Sequence, residues 1–143
     1  MTLTPKDVND YKKKDIYHGK TIGAIGNRVK DGIISINNVN YQLEQNEGSK
    51  CLHGGSMGLS NQMFEASMDS FSDNLTVTYS FYKKDMLDGL PGNITYKVIY
   101  TVNKDNSLDV RYEAISDKDT LFNPTNHLYM NMLKGSSVIL TKQ

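Results

Sequence analysis

The chain has 143 residues with 38% apolar side chains, a length that fits one domain with a sizeable core and excludes a large multidomain enzyme. Its 16 basic and 16 acidic residues cancel to a formal net charge of zero, so no global field draws nucleic acid or an anionic membrane. The single cysteine, Cys51, excludes an intramolecular disulfide and a cysteine-rich zinc site.

The first residues, 1–14, are polar and hold no apolar core of a targeting segment. No apolar run approaches the roughly 18 residues a membrane span needs. The expectation is a soluble cytoplasmic domain. Thr4-Pro5-Lys6-Asp7 has the chemistry of a helix start: Thr4 can cap, Pro5 suits the first turn and Asp7 favours the positive end of the dipole. A short helix over 5–14 follows, ending before Gly19.

From there the pattern has period two. Ile34 and Ile36 alternate with polar neighbours, Asn37-Asn38 can turn, and residues 39–43 return, which predicts a hairpin. Leu75, Val77, Tyr79 and Phe81 share one face of a strand; Ile94, Tyr96, Val98, Tyr100 and Val102 repeat this, as do Leu108, Val110, Tyr112 and Ala114. Short loops between the three predict an adjacent antiparallel meander. Residues 45–62 and 116–135 are long irregular stretches, which in a compact domain are functional or disordered. The fold class is all-β: an antiparallel sandwich or a large open sheet.

Three histidines are present, and two sit in chemically suggestive settings. In Leu52-His53-Gly54-Gly55 the glycines remove bulk, so a ligand can approach the imidazole; a turn carrying a solvated histidine fits as well. In Asn126-His127-Leu128-Tyr129, Asn126 and Tyr129 could orient the imidazole by hydrogen bonds and fix its tautomer; a hydrogen-bonded structural histidine fits equally. Asn27-Arg28 follows Gly23 and Gly26 and could present a planar hydrogen-bonding pair to a polyol, or be a surface arginine beside a turn. The loop from Asp85 to Gly92 has the chemistry of a hairpin connection. The histidines show no paired spacing such as i, i+4, so no metal site is expected. Cys51 is expected to be a small buried hydrophobe.

Taken in order, the segments 22–29, 37–46, 52–55, 88–93, 108–114 and 123–131 resemble the aldose 1-epimerase family, also called galactose mutarotases. The resemblance covers roughly residues 10–140. It implies a mutarotase-like β-sandwich, with residues 1–143 as a single β-domain incomplete relative to the family. It implies an isomerase of carbohydrate metabolism that interconverts the α and β anomers of aldohexoses such as galactose and glucose by acid/base ring opening. By motif match, His127 corresponds to the acid that protonates the ring oxygen and His53 to the second active-site histidine. Arg28 corresponds to a sugar-binding arginine, with Asn27 beside it. The family needs no metal or organic cofactor, and the expected partner is a monosaccharide.

The resemblance also implies a general-base glutamate and a sugar-binding aspartate beyond the His127 motif, and neither has a counterpart here. Asp85, Asp88 and Glu113 are the carboxylates that could in principle substitute for the base. The chain therefore resembles the middle of such an enzyme. The alternative function is a non-catalytic carbohydrate-binding module or an inactive fragment. Strands left without neighbours are expected to draw the chain into a homo-oligomer through exposed edges.

Overall fold

The computed structural model describes residues 2, 5, 7–12 and 16–130. Ten strands dominate: β1 (Thr21–Ile22), β2 (Arg28–Val29), β3 (Ile33–Ile36), β4 (Val39–Gln42), β5 (Cys51–Leu52), β6 (Glu65–Ser70), β7 (Asn74–Lys83), β8 (Ile94–Asn103), β9 (Leu108–Ser116) and β10 (Thr125–Asn126). Four of them form an antiparallel sheet in the order β6-β7-β8-β9. The remaining six pair in twos, β1 with β10, β2 with β5 and β3 with β4, all antiparallel.

The three alternating strands are adjacent, as the pattern predicts. Phe81, Tyr96 and Ala114 stand side by side across β7, β8 and β9, as do Tyr79, Val98 and Tyr112. A period of two keeps these side chains on one face of the sheet. That face carries part of the core, with Ile94, Tyr96 and Val98 buried. Ala24, Ile25, Cys51, Leu59 and Leu90 from the smaller elements join the same buried cluster as Ile94 and Tyr96. Two layers thus share one core, the arrangement of a sandwich. At the other end of the same face the cover runs out, and Leu75, Val102 and Leu108 are exposed.

The Asn37-Asn38 hairpin forms with the two-residue loop expected: Ile36 pairs with Val39, and both asparagines take positive φ, 51° and 63°. That is the primed turn whose twist matches the flanking strands. The loop from Asp85 to Gly92 is the β7–β8 connection. It is pinned inward by Lys83, which the register places on the core face. The Lys83 ammonium is buried and donates to Asp88 Oδ1 and to the Leu90 carbonyl, each at 2.8 Å.

Two expectations need correction. The N-terminal helix is a single 3₁₀ segment, Val8–Lys12, with no buried residue; lacking a face to bury, it has no packing energy to extend it. The proposed cap Thr4 and residues 13–14 lie outside the described residues. Strand β6 was not expected, because Glu65–Ser70 is exposed throughout and has no apolar alternation. It exists because β7 offers it six register partners. No helix among the described residues is long and apolar enough to cross a membrane.

Candidate functional site

His53 leaves β5 at its end. Its backbone N–H donates to the Asn27 carbonyl at 3.0 Å, extending the ladder in which Arg28 pairs with Leu52. The chain then turns sharply: His53 has φ 57°, followed by Gly54 at 83° and Gly55 at 72°. A side chain at Gly54 would meet the Gly23 carbonyl at 2.6 Å, and one at Gly55 would meet the Glu44 carboxylate at 2.7 Å. The glycines therefore serve internal packing rather than ligand approach, which corrects the sequence expectation for them. Cys51 is buried as expected, and burial pushes its thiol pKa up.

His127 follows β10, and its backbone continues the pairing with the segment before β1: its N–H donates to Lys20 O at 3.0 Å and its carbonyl accepts from Gly19 at 2.9 Å. The imidazole is held by rings. Tyr17 stacks on it at 5.5 Å and Tyr129 at 4.9 Å between centroids. The expected hydrogen-bonding role of its neighbours is replaced. Asn126 turns its amide to donate to the Tyr100 hydroxyl at 3.0 Å, and Tyr129 stacks instead. His18 packs at a tilt against the same Tyr129, at 4.4 Å and 55°, so all three histidines belong to one aromatic cluster.

The structure brings His53 and His127 together, their centroids 5.3 Å apart and their planes at 88°. Both line a cavity of about 470 Å³ with Tyr17, Asn27, Arg28, Asn46, Glu47 and Tyr129. A larger sequence-distant convergence of polar side chains with two imidazoles is the pattern of a small-molecule site.

The chemistry of the cavity follows from its hydrogen bonds. The Asn27 backbone N–H donates to His53 Nδ1 at 3.1 Å, so neutral His53 carries its proton on Nε2 and offers a donor there. Burial, and then the nearby His127 charge, hold the His53 pKa below its ordinary value. Neutral imidazole is the form favoured near pH 7. Arg28 makes a two-point ion pair with Glu47: Nε to Oε2 at 2.5 Å and Nη2 to Oε1 at 2.7 Å. The pair lowers the pKa of Glu47 through that hydrogen bond, so Glu47 is a weaker base than a free carboxylate.

The three candidate substitute carboxylates are engaged elsewhere. Asp85 accepts from Lys118 at 2.8 Å. Asp88 is paired with buried Lys83. Glu113 pairs with Arg111 at 2.6 Å, and its register opposite Lys97 puts it on the sheet face away from the core. None of the three lines the cavity. Glu47, which does, was missed; its place in the turn between Asn46 and the His53 motif was the available signal. Among the described residues no group of three or more His, Cys, Asp or Glu side chains is arranged to hold a metal ion.

The expectation that the chain holds no Gly-x-Ser-x-Gly nucleophile elbow is corrected at the level of spacing, because Gly54-Gly55-Ser56-Met57-Gly58 has it. Its geometry is different. Turns and a 3₁₀ segment (Leu59–Asn61) follow it rather than an α-helix, and the Ser56 hydroxyl is bonded to Glu44 at 2.6 Å.

The family model described as aldose 1-epimerase matches residues 1–142. The chain belongs to the aldose 1-epimerase family. It is 33% identical over 133 residues to the aldose 1-epimerase of Streptococcus thermophilus, covering 92% of this chain and 38% of that protein. It is 30% identical over 131 residues to the galactose mutarotase of Homo sapiens, covering 92% of this chain and 37% of that protein. Its fold is similar to that of the galactose 1-epimerase from Lactobacillus acidophilus NCFM, with a TM-score of 0.85 at 33% identity, covering 92% of this chain and 39% of that one. The chain thus spans about two fifths of the length of the aldose 1-epimerase relatives it matches.

Proposed function

We propose that this chain carries the sugar-recognising and acid half of an aldose 1-epimerase site, acting on free aldohexoses such as galactose and glucose. What supports the reading is one observation: His53 and His127, far apart in sequence, line a single cavity with Asn27 and Arg28.

Opening a cyclic hemiacetal needs a proton delivered to the ring oxygen and another removed from the anomeric hydroxyl. In this reading His127 delivers the first, since an imidazole exchanges protons near neutral pH. His53 donates from Nε2 to an oxygen near the reacting carbon. Arg28 and Asn27 hold hydroxyls further along the ring; Tyr17 and Tyr129 hold the His127 imidazole by stacking, and Tyr17 meets His53 edge-on. Rotation about the opened carbon–carbon bond and reclosure give the other anomer. The second proton transfer requires a base that the described cavity does not supply in an unpaired form, because Glu47 is tied to Arg28.

A polarimetric assay with freshly dissolved α-D-galactose tests the reading, with direct titration of galactose beside it. The expected result is galactose binding with mutarotation much slower than that of the full-length relatives, and slower still in His127→Ala. Rates equal to those of full-length relatives and unaffected by His127→Ala overturn the assignment of His127. The engaged state of Glu47 favours one second reading, a carbohydrate-binding module without turnover; binding with no polarimetric change selects it.

A further inference from the structure

We propose that Glu47 sets the charge selectivity of the cavity: by occupying the edge of the Arg28 guanidinium it admits uncharged polyols and excludes anionic sugars such as hexose phosphates. The inference rests on the monosaccharide reading above and adds to it a residue, Glu47, that the sequence did not single out.

The argument begins with geometry. Arg28 presents Nε and Nη2 to the two oxygens of Glu47. This side-on fork is also the edge a phosphate dianion uses when an arginine binds it with two parallel bonds. With Glu47 in place, the phosphate's position is taken and the approaching charge is repelled at close range.

The pair is also held in register. Arg28 lies opposite Leu52 in the β2–β5 ladder. Glu47 sits in a tight turn closed by Glu47 N to Lys50 O at 3.1 Å and Lys50 N to Glu47 O at 3.0 Å. The preceding Asn46 grips the same Leu52, donating to its carbonyl at 3.0 Å and accepting from its N–H at 2.7 Å. Both partners are therefore fixed to one residue of β5. Arg28 in turn holds the Glu47 carboxyl below its ordinary pKa, so Glu47 is a carboxylate at neutral pH.

The charges that line the cavity are then balanced: one guanidinium, one carboxylate and imidazoles. Lys50 is not among the residues lining this cavity; it lines a separate open recess with Arg28, Glu47 and Gly48. The Arg28 N–H groups not used by Glu47 are donors, and Glu47 keeps free lone pairs as acceptors. Adjacent hydroxyls both donate and accept, so they suit this mixed edge. A phosphate dianion has no proton to give Glu47.

The test compares wild type, Glu47→Gln, Glu47→Ala and the double variant Glu47→Gln/Arg28→Gln, each checked for folding by circular dichroism. Each is titrated by calorimetry with D-galactose, D-galactose 6-phosphate and inorganic phosphate. Imidazole resonances are followed by NMR in the phosphate titration. Wild type is expected to prefer galactose over its 6-phosphate. Both single variants are expected to shift that ratio toward the phosphate by at least about tenfold, the scale of one charge-assisted hydrogen bond, in a salt-sensitive manner. The double variant should lose the gain. Inorganic phosphate should perturb the histidines in the single variants and leave wild type unchanged. An unchanged galactose-to-phosphate ratio across the variants overturns the proposal, as does equal phosphate binding in wild type and Glu47→Gln. If neither sugar binds any of the proteins, the monosaccharide reading fails; the inorganic phosphate comparison then decides the exclusion of anions on its own.

Discussion

The imidazole of His53 stands edge-on to that of His127, with 5.3 Å between ring centroids. Two rings this close cannot both become cations without mutual repulsion, and His53 is also partly withdrawn from water. These effects, burial first, keep the His53 pKa below its ordinary value. An NMR pH titration should show His53 protonating below about 6.5, the ordinary histidine value. In His127→Gln the His53 pKa should rise, because one of its depressing causes is gone. No upward movement would mean that the two rings are not coupled.

The same shift has a consequence for stability, and its sign is fixed. The folded pKa of His53 is lowered, so below the unfolded value the unfolded chain binds more protons than the folded one. Stability therefore falls as pH drops through about 6.5 toward the folded pKa, and is restored above it. Urea midpoints at pH 7.5 and 5.5 should differ more for wild type than for His53→Gln. Equal differences would exclude His53 as the cause.

Lys83 and Asp88 form a buried pair, with side chains 2% and 5% exposed. Removing one partner leaves the other charge without compensation, at a cost of about 3–5 kcal/mol. Lys83→Met is expected to show a loss of this order in chemical denaturation. Lys83→Met/Asp88→Leu should recover part of it, since no lone charge then remains. A single variant as stable as wild type would show that the pair contributes nothing.

Gly54 and Gly48 separate two kinds of glycine requirement. Both have positive φ, 83° and 59°. A side chain at Gly54 would strike the Gly23 carbonyl at 2.6 Å, whereas at Gly48 nothing lies within 4 Å. Gly48→Ala should cost about 1 kcal/mol, the penalty of left-handed backbone alone. Gly54→Ala should cost clearly more and shift the His53 resonances, because the carbonyl must move. Equal melting temperatures for the two variants would contradict this.

The uncovered end of the sheet leads to a prediction about association. Leu75, Val102 and Leu108 are exposed next to one another in the register of β7, β8 and β9. Apolar surface of this kind, beside the edge strands β6 and β9, favours pairing with another copy. Light scattering over a dilution series should report a homodimer or larger species that dissociates on dilution. Leu75→Lys/Leu108→Lys should reduce it. A monomer at every concentration would remove the proposal.

The sequence by itself determined the elements whose cause is local. Period-two alternation specified β7, β8 and β9, because burying one face of a pleated strand needs nothing more than every second residue apolar. Asn37-Asn38 specified its turn, because asparagine tolerates the positive φ that a two-residue hairpin imposes. The ordered series of motifs also carried the family resemblance and the four residues Asn27, Arg28, His53 and His127. The tertiary structure decided what depends on distant partners. β6 has no pattern of its own and exists by pairing with β7. The glycines after His53 answer to the carbonyl of Gly23 and the carboxylate of Glu44. Lys83, which reads as the polar end of a strand, is buried because Asp88 folds back over it. Glu47 entered the cavity only when β2 and β5 paired and brought Arg28 to it. Charge pairing across strands depends on register, and register is a property of the folded sheet rather than of any single segment.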